Sequence, residues 1–293
     1  MGALQRALAR IVARHETLRS RFAQFNDEAQ VLIAPVDSGL LLRVEDLRQH
    51  PQADQTLAAL IQGEASGPFD LQDDALIRGR LVRLADDHHV LLLTLHHIVA
   101  DGWSLNVLID EFIRLYDAAS SSGEAALPEL PIQYRDYALW QRSWLEAGEQ
   151  ERQLAYWREK LGDDHAPLAL PFDRARPATP SQRGARHSFE VEPALAEHLR
   201  NLARQQGATL FMVLLAGFKL LLQRYSGQRA IRVGVPVANR NRAEVEGLIG
   251  CFINTQVLHT DIDPLIDVAE LVQRIKHTAV GAQAHQDLPF ERL

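Results

Sequence analysis

The feature that most restricts how this sequence can fold is a change of hydrophobic period at residue 101. Residues 90–97 read VLLLTLHH, a nearly continuous apolar run that is typical of a strand buried on both faces. After Asp101 and Gly102 apolar residues recur at helical spacing, on a face formed by Leu105, Leu108, Ile109, Phe112, Ile113 and Tyr116. A buried strand followed by an amphipathic helix is the unit of α/β proteins, so we predict an α/β fold.

The same alternation of strand-like and helix-like patterns continues on both sides of a proline-rich stretch. Residues 162–184 hold four prolines among several Asp and Arg residues and have no sustained periodicity, which is typical of a linker. We therefore predict a first lobe over residues 1–161 and a second lobe over residues 185–293. The second lobe is expected to begin with a strand over residues 186–191.

The composition argues against several classes of protein. Apolar residues make up 46% of the chain and charged residues 24%, which is the balance of a folded protein with a sizeable core. No apolar run approaches the length of a transmembrane helix, and the N-terminus lacks the apolar region of a secretory signal. A net charge of -7 argues against nucleic acid as a partner. We expect a cytoplasmic protein that binds neither nucleic acid nor membrane.

Two histidines, an aspartate and a glycine lie where the predicted strand meets the predicted helix. A histidine at such a position can act as a general base, because its ordinary pKa lies near the working pH. Asp101 suits a turn, where its carboxylate accepts backbone N–H groups or pairs with an arginine. Gly102 permits the close approach of another group. Strand alternation directs His96 and His97 to opposite faces, and a purely structural role stays open for both.

Other chemistries have little support in the residue pattern. HHxxxD lacks the spacing of an HExxH zinc site and no third ligand is evident, so no metal site is expected. The single cysteine, Cys251, argues against a disulfide framework or a CxxC zinc site and is expected to be a small buried residue. The GxSxG motif of serine hydrolases does not occur.

Residues 96–104, HHIVADGWS, resemble the core motif of the condensation domains of non-ribosomal peptide synthetases. Four further segments resemble motifs of the same family, in the family's order: RHETLRSRF at 14–22, YRDYALW at 134–140, IGCFINTQ at 249–256 and HQDLPFE at 285–291. HxxxD alone also marks other acyltransferases of the chloramphenicol acetyltransferase type. The five segments together are far more specific, and the resemblance extends over essentially the whole chain.

The resemblance implies two chloramphenicol acetyltransferase-like lobes arranged in a V, with the active site in a tunnel between them. The family's first and seventh motifs have no counterpart in this sequence. The chain is therefore expected to be an internal piece of a longer protein. It would lack a short N-terminal stretch and roughly the last third of the domain, so that the second lobe is incomplete.

The implied activity is that of an acyltransferase that forms amide bonds. An acceptor amine attacks a donor thioester, both substrates are carried on the phosphopantetheine of partner carrier domains, and the condensation domain binds no cofactor of its own. The implied partners are donor and acceptor peptidyl carrier domains and an adjoining adenylation domain. The sequence around the motifs resembles the subtype that joins two L-residues. His96 and His97 argue against a heterocyclisation domain, which has aspartates in their place.

The resemblance also implies roles for individual residues of the core motif. His97 would act as general base or would hold the attacking amine in position. His96 would be mostly structural. Asp101 would be architectural and pair with an arginine, and Gly102 would leave room for the donor thioester.

Four more residues match family motifs with less defined roles. Arg14 and Arg19 could hold Asp101 or shape the site, or they could be solvated arginines at a helix end. Trp140 could line the tunnel, although packing is the commoner role of an aromatic residue at this spacing. Asn254 lies in a strand-like context that disfavours asparagine, which predicts a specific hydrogen bond.

Two other functions stay open. The chain could be a catalytically silent fragment that binds or docks carrier domains, or a gene remnant. It could also be a stand-alone acyltransferase that uses a diffusible thioester. The intact His97, Asp101 and Gly102 favour a working condensation domain over the first alternative. The five-segment resemblance favours it over the second, because stand-alone enzymes usually keep only HxxxD.

Overall fold

The computed structural model describes residues 1–121, 123, 126–163, 166–175, 177–179, 181 and 184–293. Parts of the predicted linker therefore lie outside the described residues. Helices and strands alternate along the described chain, which confirms the α/β prediction.

The helices of the described residues are α1 (Gly2–Arg14), α2 (Ala53–Ser66), α3 (Gly102–Ser120), α4 (Tyr134–Trp144), α5 (Gln150–Leu161), α6 (Pro193–Gln205), α7 (Leu210–Ser226), α8 (Ala243–Glu246) and α9 (Val268–Gln283). The strands are β1 (Ser20–Phe25), β2 (Glu28–Ile33), β3 (Leu42–Asp46), β4 (Ile77–Arg83), β5 (His89–Leu95), β6 (Ala230–Val237) and β7 (Asn254–Asp261).

The strands form three small sheets within the described residues. β1 and β2 pair as an antiparallel hairpin, and β6 pairs antiparallel with β7. In the third sheet β4 lies between β3, to which it is parallel, and β5, to which it is antiparallel. β5 is the strand that the sequence predicted to be buried on both faces. It is only half-buried, because it lies at the edge of its sheet in the part of the chain that is described.

The strand expected over residues 186–191 is not formed, and that prediction is wrong. All six residues are exposed and have no regular backbone structure. A strand needs a neighbour to satisfy its backbone N–H and C=O groups, and none of the described strands pairs with this segment.

The chain divides into two compact units, of which unit 1 comprises residues 1–144 and 238–253. Within unit 1, α1 buries the apolar residues that recur at helical spacing, namely Leu4, Ala7, Leu8, Ile11 and Val12. Ile11 and Val12 belong to a core with Ile77 of β4 and Leu108 and Leu115 of α3. The apolar face of α1 therefore packs against α3, the helix that follows the histidine motif.

α3 forms where the sequence predicts a helix, but it buries a different face. Leu108 is buried as expected, together with Ser104, Glu111 and Leu115. Apolar residues expected in the core are instead about half exposed, among them Leu105, Ile109 and Ile113. α3 is apolar around much of its circumference, so its packing on α1, rather than its own pattern, selects the buried face.

Unit 2 comprises residues 145–237 and 254–293. Its core joins α5, α7, α9 and the β6–β7 pair through buried apolar residues, among them Trp157, Val213, Ile231, Leu258, Leu271 and Ile275. These contact-based units differ from the predicted lobes 1–161 and 185–293, and that division remains a proposal.

No single helix in the described ranges is long and apolar enough to cross a membrane. α6 and α7, bent by 107° relative to each other, would reach that length and composition only as a pair.

Candidate active site

The histidine motif occupies the connection between β5 and α3 in unit 1. β5 ends at Leu95, and α3 begins at Gly102 with Asp101 as its N-cap. The Oδ1 atom of Asp101 accepts a hydrogen bond from the backbone N–H of Ser104 at 2.8 Å. Aspartate at an N-cap satisfies one of the free N–H groups of the first helical turn. Asp101 therefore occupies the turn position that the sequence predicts.

Asp101 is 4% exposed and both of its carboxylate oxygens are bonded. Oδ1 lies 2.8 Å from the hydroxyl of Ser104 and 3.2 Å from Nη2 of Arg240. Oδ2 accepts the backbone N–H of Phe252 at 3.0 Å. The carboxylate thus joins the start of α3 to two other parts of unit 1.

Arg240 is the arginine that pairs with Asp101, and its side chain is only 1% exposed. Its Nη1 donates to the carbonyl oxygens of Val245, at 2.6 Å, and Leu248, at 2.8 Å. The guanidinium also lies 4.0 Å from the ring centre of Phe252, a cation–π distance. Arg240 therefore fixes the fold of residues 240–252 while it neutralises the buried carboxylate.

Asp101 and Arg240 both remain charged although they are buried. Burial alone would raise the pKa of Asp101, but hydrogen bonds from Ser104 and the charge of Arg240 outweigh it and hold the pKa below its ordinary value of 3.8. Burial lowers the pKa of Arg240, and the carboxylate of Asp101 opposes that shift. Arginine remains protonated in proteins, so the pair is ionic at neutral pH.

Of the roles left open for Arg14 and Arg19, holding Asp101 is not the one seen, because Arg240 pairs with that carboxylate. The Nε of Arg14 donates to Oε1 of Glu111 at 2.8 Å. Arg19 donates to backbone carbonyls, including that of Val12 at 3.0 Å. Both side chains lie at the C-terminal end of α1, where the last carbonyls of the helix have no partner within it. They are consequently bound there and are neither solvated nor part of the carboxylate site.

His97 is exposed and has a different environment from Asp101. Its Nδ1 lies 3.7 Å from Sγ of Cys251. Its side chain lines a groove of about 590 Å³, which we call the His97 groove. The other lining residues are largely apolar, among them Ile61, Leu91, Leu93, Leu95 and Leu105. The His97 side chain thus borders a cavity whose walls are largely apolar.

Gly102 also lines the His97 groove. A Cβ atom added at Gly102 would have no other atom within 4 Å. The glycine therefore leaves open space beside the histidine rather than making close contact with the fold.

His96 is held by its neighbours. Its Nδ1 accepts the backbone N–H of Ile98 at 3.1 Å. Its ring meets that of Phe69 edge-on, with 5.7 Å between the ring centres, and the guanidinium of Arg78 stacks 3.9 Å from the centre of the Phe69 ring. These contacts hold the His96 ring within the turn.

Cys251 and its neighbours form a loop that is tied to the rest of unit 1. The Tyr134 hydroxyl donates to the carbonyl of Cys251 at 2.8 Å. The Ser104 hydroxyl accepts the N–H of Gly250 at 3.0 Å. A Cβ atom at residue 250 would overlap the ring of Tyr134, which explains the glycine. Cys251 itself is half-buried rather than fully buried as expected.

Trp140 belongs to an aromatic cluster on α4. Its ring stacks on Trp144 with 5.3 Å between ring centres and an interplanar angle of 13°. It also lies beside Tyr137, and the guanidinium of Arg242 sits 4.2 Å from its ring centre. Packing accounts for this residue.

Asn254 lies in unit 2, where it makes the specific hydrogen bonds that its strand context predicts. Its Nδ2 donates to the carbonyls of Gln286, at 2.8 Å, and Leu288, at 2.7 Å. Its Oδ1 accepts the N–H of Phe290 at 3.0 Å. Asn254 thus ties the final residues of the chain to the start of β7.

Sequence reasoning missed Arg240 and Ser104. Ser104 follows Asp101 by three residues, the spacing at which an N-cap meets its N–H partner, and that signal was available. Arg240 is 139 residues from Asp101 and carries no local signal of its role. Within the described ranges no cluster of three or more metal-binding side chains occurs.

A family model described as "Condensation domain" matches residues 2–293. This chain belongs to the condensation domain family. The resemblance noted in the sequence is thereby confirmed. A linear gramicidin synthase protein from Brevibacillus parabrevis is 47% identical to this condensation domain over 293 residues, which are 99% of the chain and 4% of that protein.

Solved structures agree with the family. The X-domain from teicoplanin biosynthesis, determined in complex with OxyB, matches with a TM-score of 0.87 and 29% identity over 99% of this chain and 64% of that chain. The first condensation domain of the CDA synthetase matches with a TM-score of 0.78 and 26% identity, over 100% of this chain and 69% of that chain. The condensation domain described here therefore spans a small part of a synthetase and about two thirds of each of these solved chains.

Proposed function

We propose that this condensation domain forms a peptide bond. The observation that carries the proposal is the exposed His97 imidazole beside open space at Gly102, in a groove whose walls are largely apolar. Aminolysis of a thioester needs a neutral amine, an exit for its proton and a site that excludes water. The His97 groove offers a proton acceptor and apolar walls in one place.

The reaction transfers an acyl group from sulfur to nitrogen. The acceptor amine attacks the carbonyl carbon of the donor thioester, and the C–N bond forms as the C–S bond breaks. The departing thiol takes up one proton, and the amine nitrogen loses one. His97 accepts that proton as general base or holds the amine by a hydrogen bond. Asp101 and Arg240 keep the turn that carries His97 in place, without touching the substrates.

Both substrates arrive on phosphopantetheine arms, in this proposal, on donor and acceptor peptidyl carrier domains. An adjoining adenylation domain supplies the activated amino acid, and the condensation domain needs no cofactor of its own. The chain acts as an internal part of a longer cytoplasmic synthetase. Its coverage of 4% of the gramicidin synthase protein supports this arrangement. The motif sequences support the subtype that joins two L-residues.

The test is substitution of His97 by alanine in the complete synthetase, with both carriers loaded and the peptidyl product detected by mass spectrometry. We expect loss of transfer with the fold retained. His88→Ala is the matched control, because His88 is exposed and lies in the turn between β4 and β5. Transfer by His97→Ala at the rate of the control would refute the proposal.

A docking role is the second candidate. The observation that favours it is the match to the X-domain, whose structure was determined in complex with a second protein, OxyB. A synthetase that transfers no peptide when both His97 and the loaded carriers are intact would favour this role.

A further inference from the structure

The surroundings of His97 assign a role to a residue outside the core motif. In the described part of the chain, the hydrogen bond of the His97 ring is the contact between Nδ1 and Sγ of Cys251, at 3.7 Å. Sulfur is a weak but real hydrogen-bond partner, able to donate or to accept. The ring of an exposed histidine rotates freely unless such a contact holds it. The contact with Cys251 is therefore positioned to fix the orientation of the His97 ring, and with it which ring nitrogen faces the groove.

The backbone around Cys251 is fixed at three consecutive residues. Gly250 donates to Ser104 Oγ at 3.0 Å, Cys251 accepts from the Tyr134 hydroxyl at 2.8 Å, and Phe252 donates to Asp101 at 3.0 Å. Burial raises the pKa of Tyr134 well above its ordinary value, so its hydroxyl keeps the proton that it donates. A side chain whose backbone is held in this way has little freedom to withdraw from His97.

We propose that Cys251 is a positioning residue, whose sulfur accepts the Nδ1–H of His97 and directs an unprotonated Nε2 into the His97 groove. This inference rests on the proposed function, since an Nε2 lone pair is what the acceptor amine requires. It assigns to the residue after Gly250 the orienting role that a hydrogen-bond partner plays for histidine bases in general. Cys251 itself does not contact the substrates.

A spectroscopic test reads the ring directly and does not depend on activity. The 293-residue chain would be labelled with ¹⁵N at histidine, and the His97 signals assigned by comparison with His97→Ala. We expect the Nδ1–H tautomer in the unmodified chain and its loss in Cys251→Ala. Cys251→Ser, which restores a hydrogen-bond acceptor, should recover much of that tautomer. An identical tautomer in the unmodified chain and Cys251→Ala would overturn the proposal.

A kinetic test in the complete synthetase shows whether the orientation matters. We expect Cys251→Ala to reduce peptide transfer by up to about 100-fold, as misplacement of a catalytic group can, and Cys251→Ser to recover part of the loss. Ile253→Ala is the matched control, because Ile253 is exposed on the same segment and should leave transfer unchanged. Equal rates for Cys251→Ala and Ile253→Ala would count against the inference. Absence of transfer in the unmodified synthetase would instead defeat the proposed function, and the tautomer measurement would still decide the role of Cys251.

Discussion

At the residue scale, the ion pair of Asp101 and Arg240 has the clearest effect on stability, because both side chains are almost fully buried. Their side chains are 3% and 1% exposed. A buried ion pair adds little net stability, but removal of either partner leaves an uncompensated buried charge and is strongly destabilising. The pair therefore acts less as a source of net stability than as a condition for the turn that carries His97.

Replacing Arg240 by alanine leaves the Asp101 carboxylate buried without its countercharge. Removal of one partner from a buried pair costs about 3–5 kcal/mol, and we expect a loss of that order in the free energy of unfolding. The matched control is Arg229→Ala, which breaks the exposed pair with Asp263 and should cost at most about 1 kcal/mol. Urea unfolding of both variants measures the difference, and equal losses would contradict the buried-pair interpretation.

Lys219 is a second buried charge and, unlike Arg240, it has no carboxylate beside it in the described structure. It is 0% exposed, and its Nζ lies 2.6 Å from the carbonyl of Leu258 and 2.7 Å from Oγ1 of Thr260. Burial lowers the pKa of Lys219 to about 7. In the unfolded chain it keeps its ordinary value of 10.5. Between these two values the unfolded state binds a proton that the folded state lacks.

The free energy of unfolding should therefore rise as the pH rises from about 7 towards 10.5. The contribution of one such proton is about 1.4 kcal/mol per pH unit. Lys219→Met keeps the shape of the side chain and removes the titration. We expect the difference in urea midpoint between the two proteins to change across this pH range. A constant difference would show that Lys219 titrates alike in the folded and unfolded chain.

Much of the site could be predicted from residue types, but its partners could not. The sequence placed Asp101 in a turn, where its carboxylate could accept backbone N–H groups or pair with an arginine, and the family resemblance implied the arginine. It pointed to Arg14 or Arg19 because they lie in a family motif. The structure uses Arg240, since the final carbonyls of α1 and the carboxylate of Glu111 already bind the other two.

At the scale of elements, the loop 249–252 requires its glycine for steric reasons, whereas the glycine within α7 has no such reason. Gly250 allows the Tyr134 ring to lie directly against the backbone, and a methyl group there would overlap the ring. Gly217 lies within α7, and a methyl group there would meet nothing within 4 Å. Glycine in a helix costs about 1 kcal/mol relative to alanine.

We therefore expect Gly217→Ala to stabilise the chain by up to about 1 kcal/mol. Gly250→Ala should destabilise it by about 1–3 kcal/mol, as overpacking does in a filled core. Thermal unfolding of the two variants provides the comparison, and each serves as the control for the other. A stabilising Gly250→Ala would mean that Tyr134 moves aside without cost, and that the 249–252 loop is less firmly held than its contacts indicate.

Most elements could be predicted because hydrophobic period is a local property. α3 extends over the stretch that follows Asp101, where apolar residues recur at helical spacing. What the pattern could not supply is the direction in which α3 packs, since that helix has apolar residues on more than one face. Nor could it reveal that residues 186–191 lack a strand to pair with, which depends on distant parts of the chain.

At the scale of the whole molecule, two helices present apolar surface to solvent. α7 exposes a stripe at helical spacing that consists of Phe211, Leu214, Phe218, Leu221 and Tyr225, each about half exposed. α3 exposes Leu105, Ile109 and Ile113 to a similar extent. Contiguous apolar surface of this kind is characteristic of contact sites or of association.

We expect the isolated chain to self-associate with rising concentration, and the double variant Leu214→Ser/Phe218→Ser to do so less. Light scattering over a concentration series measures the effect. Val36→Ser is the matched control, because Val36 is 60% exposed but lies outside both stripes. A chain that stays monomeric throughout, or a control that behaves as the double variant does, would contradict this expectation.

The two units are not consecutive in the chain, and this has a consequence for the order of synthesis. A nascent chain that has been translated as far as residue 144 has Asp101 and His97 but lacks residues 238–253, which complete unit 1. Arg240 and the loop that carries Cys251 emerge from the ribosome only after residues 145–237 of unit 2. The turn bearing the histidines must therefore remain unfinished while most of unit 2 is translated, so the timing of translation governs when the site can first assemble.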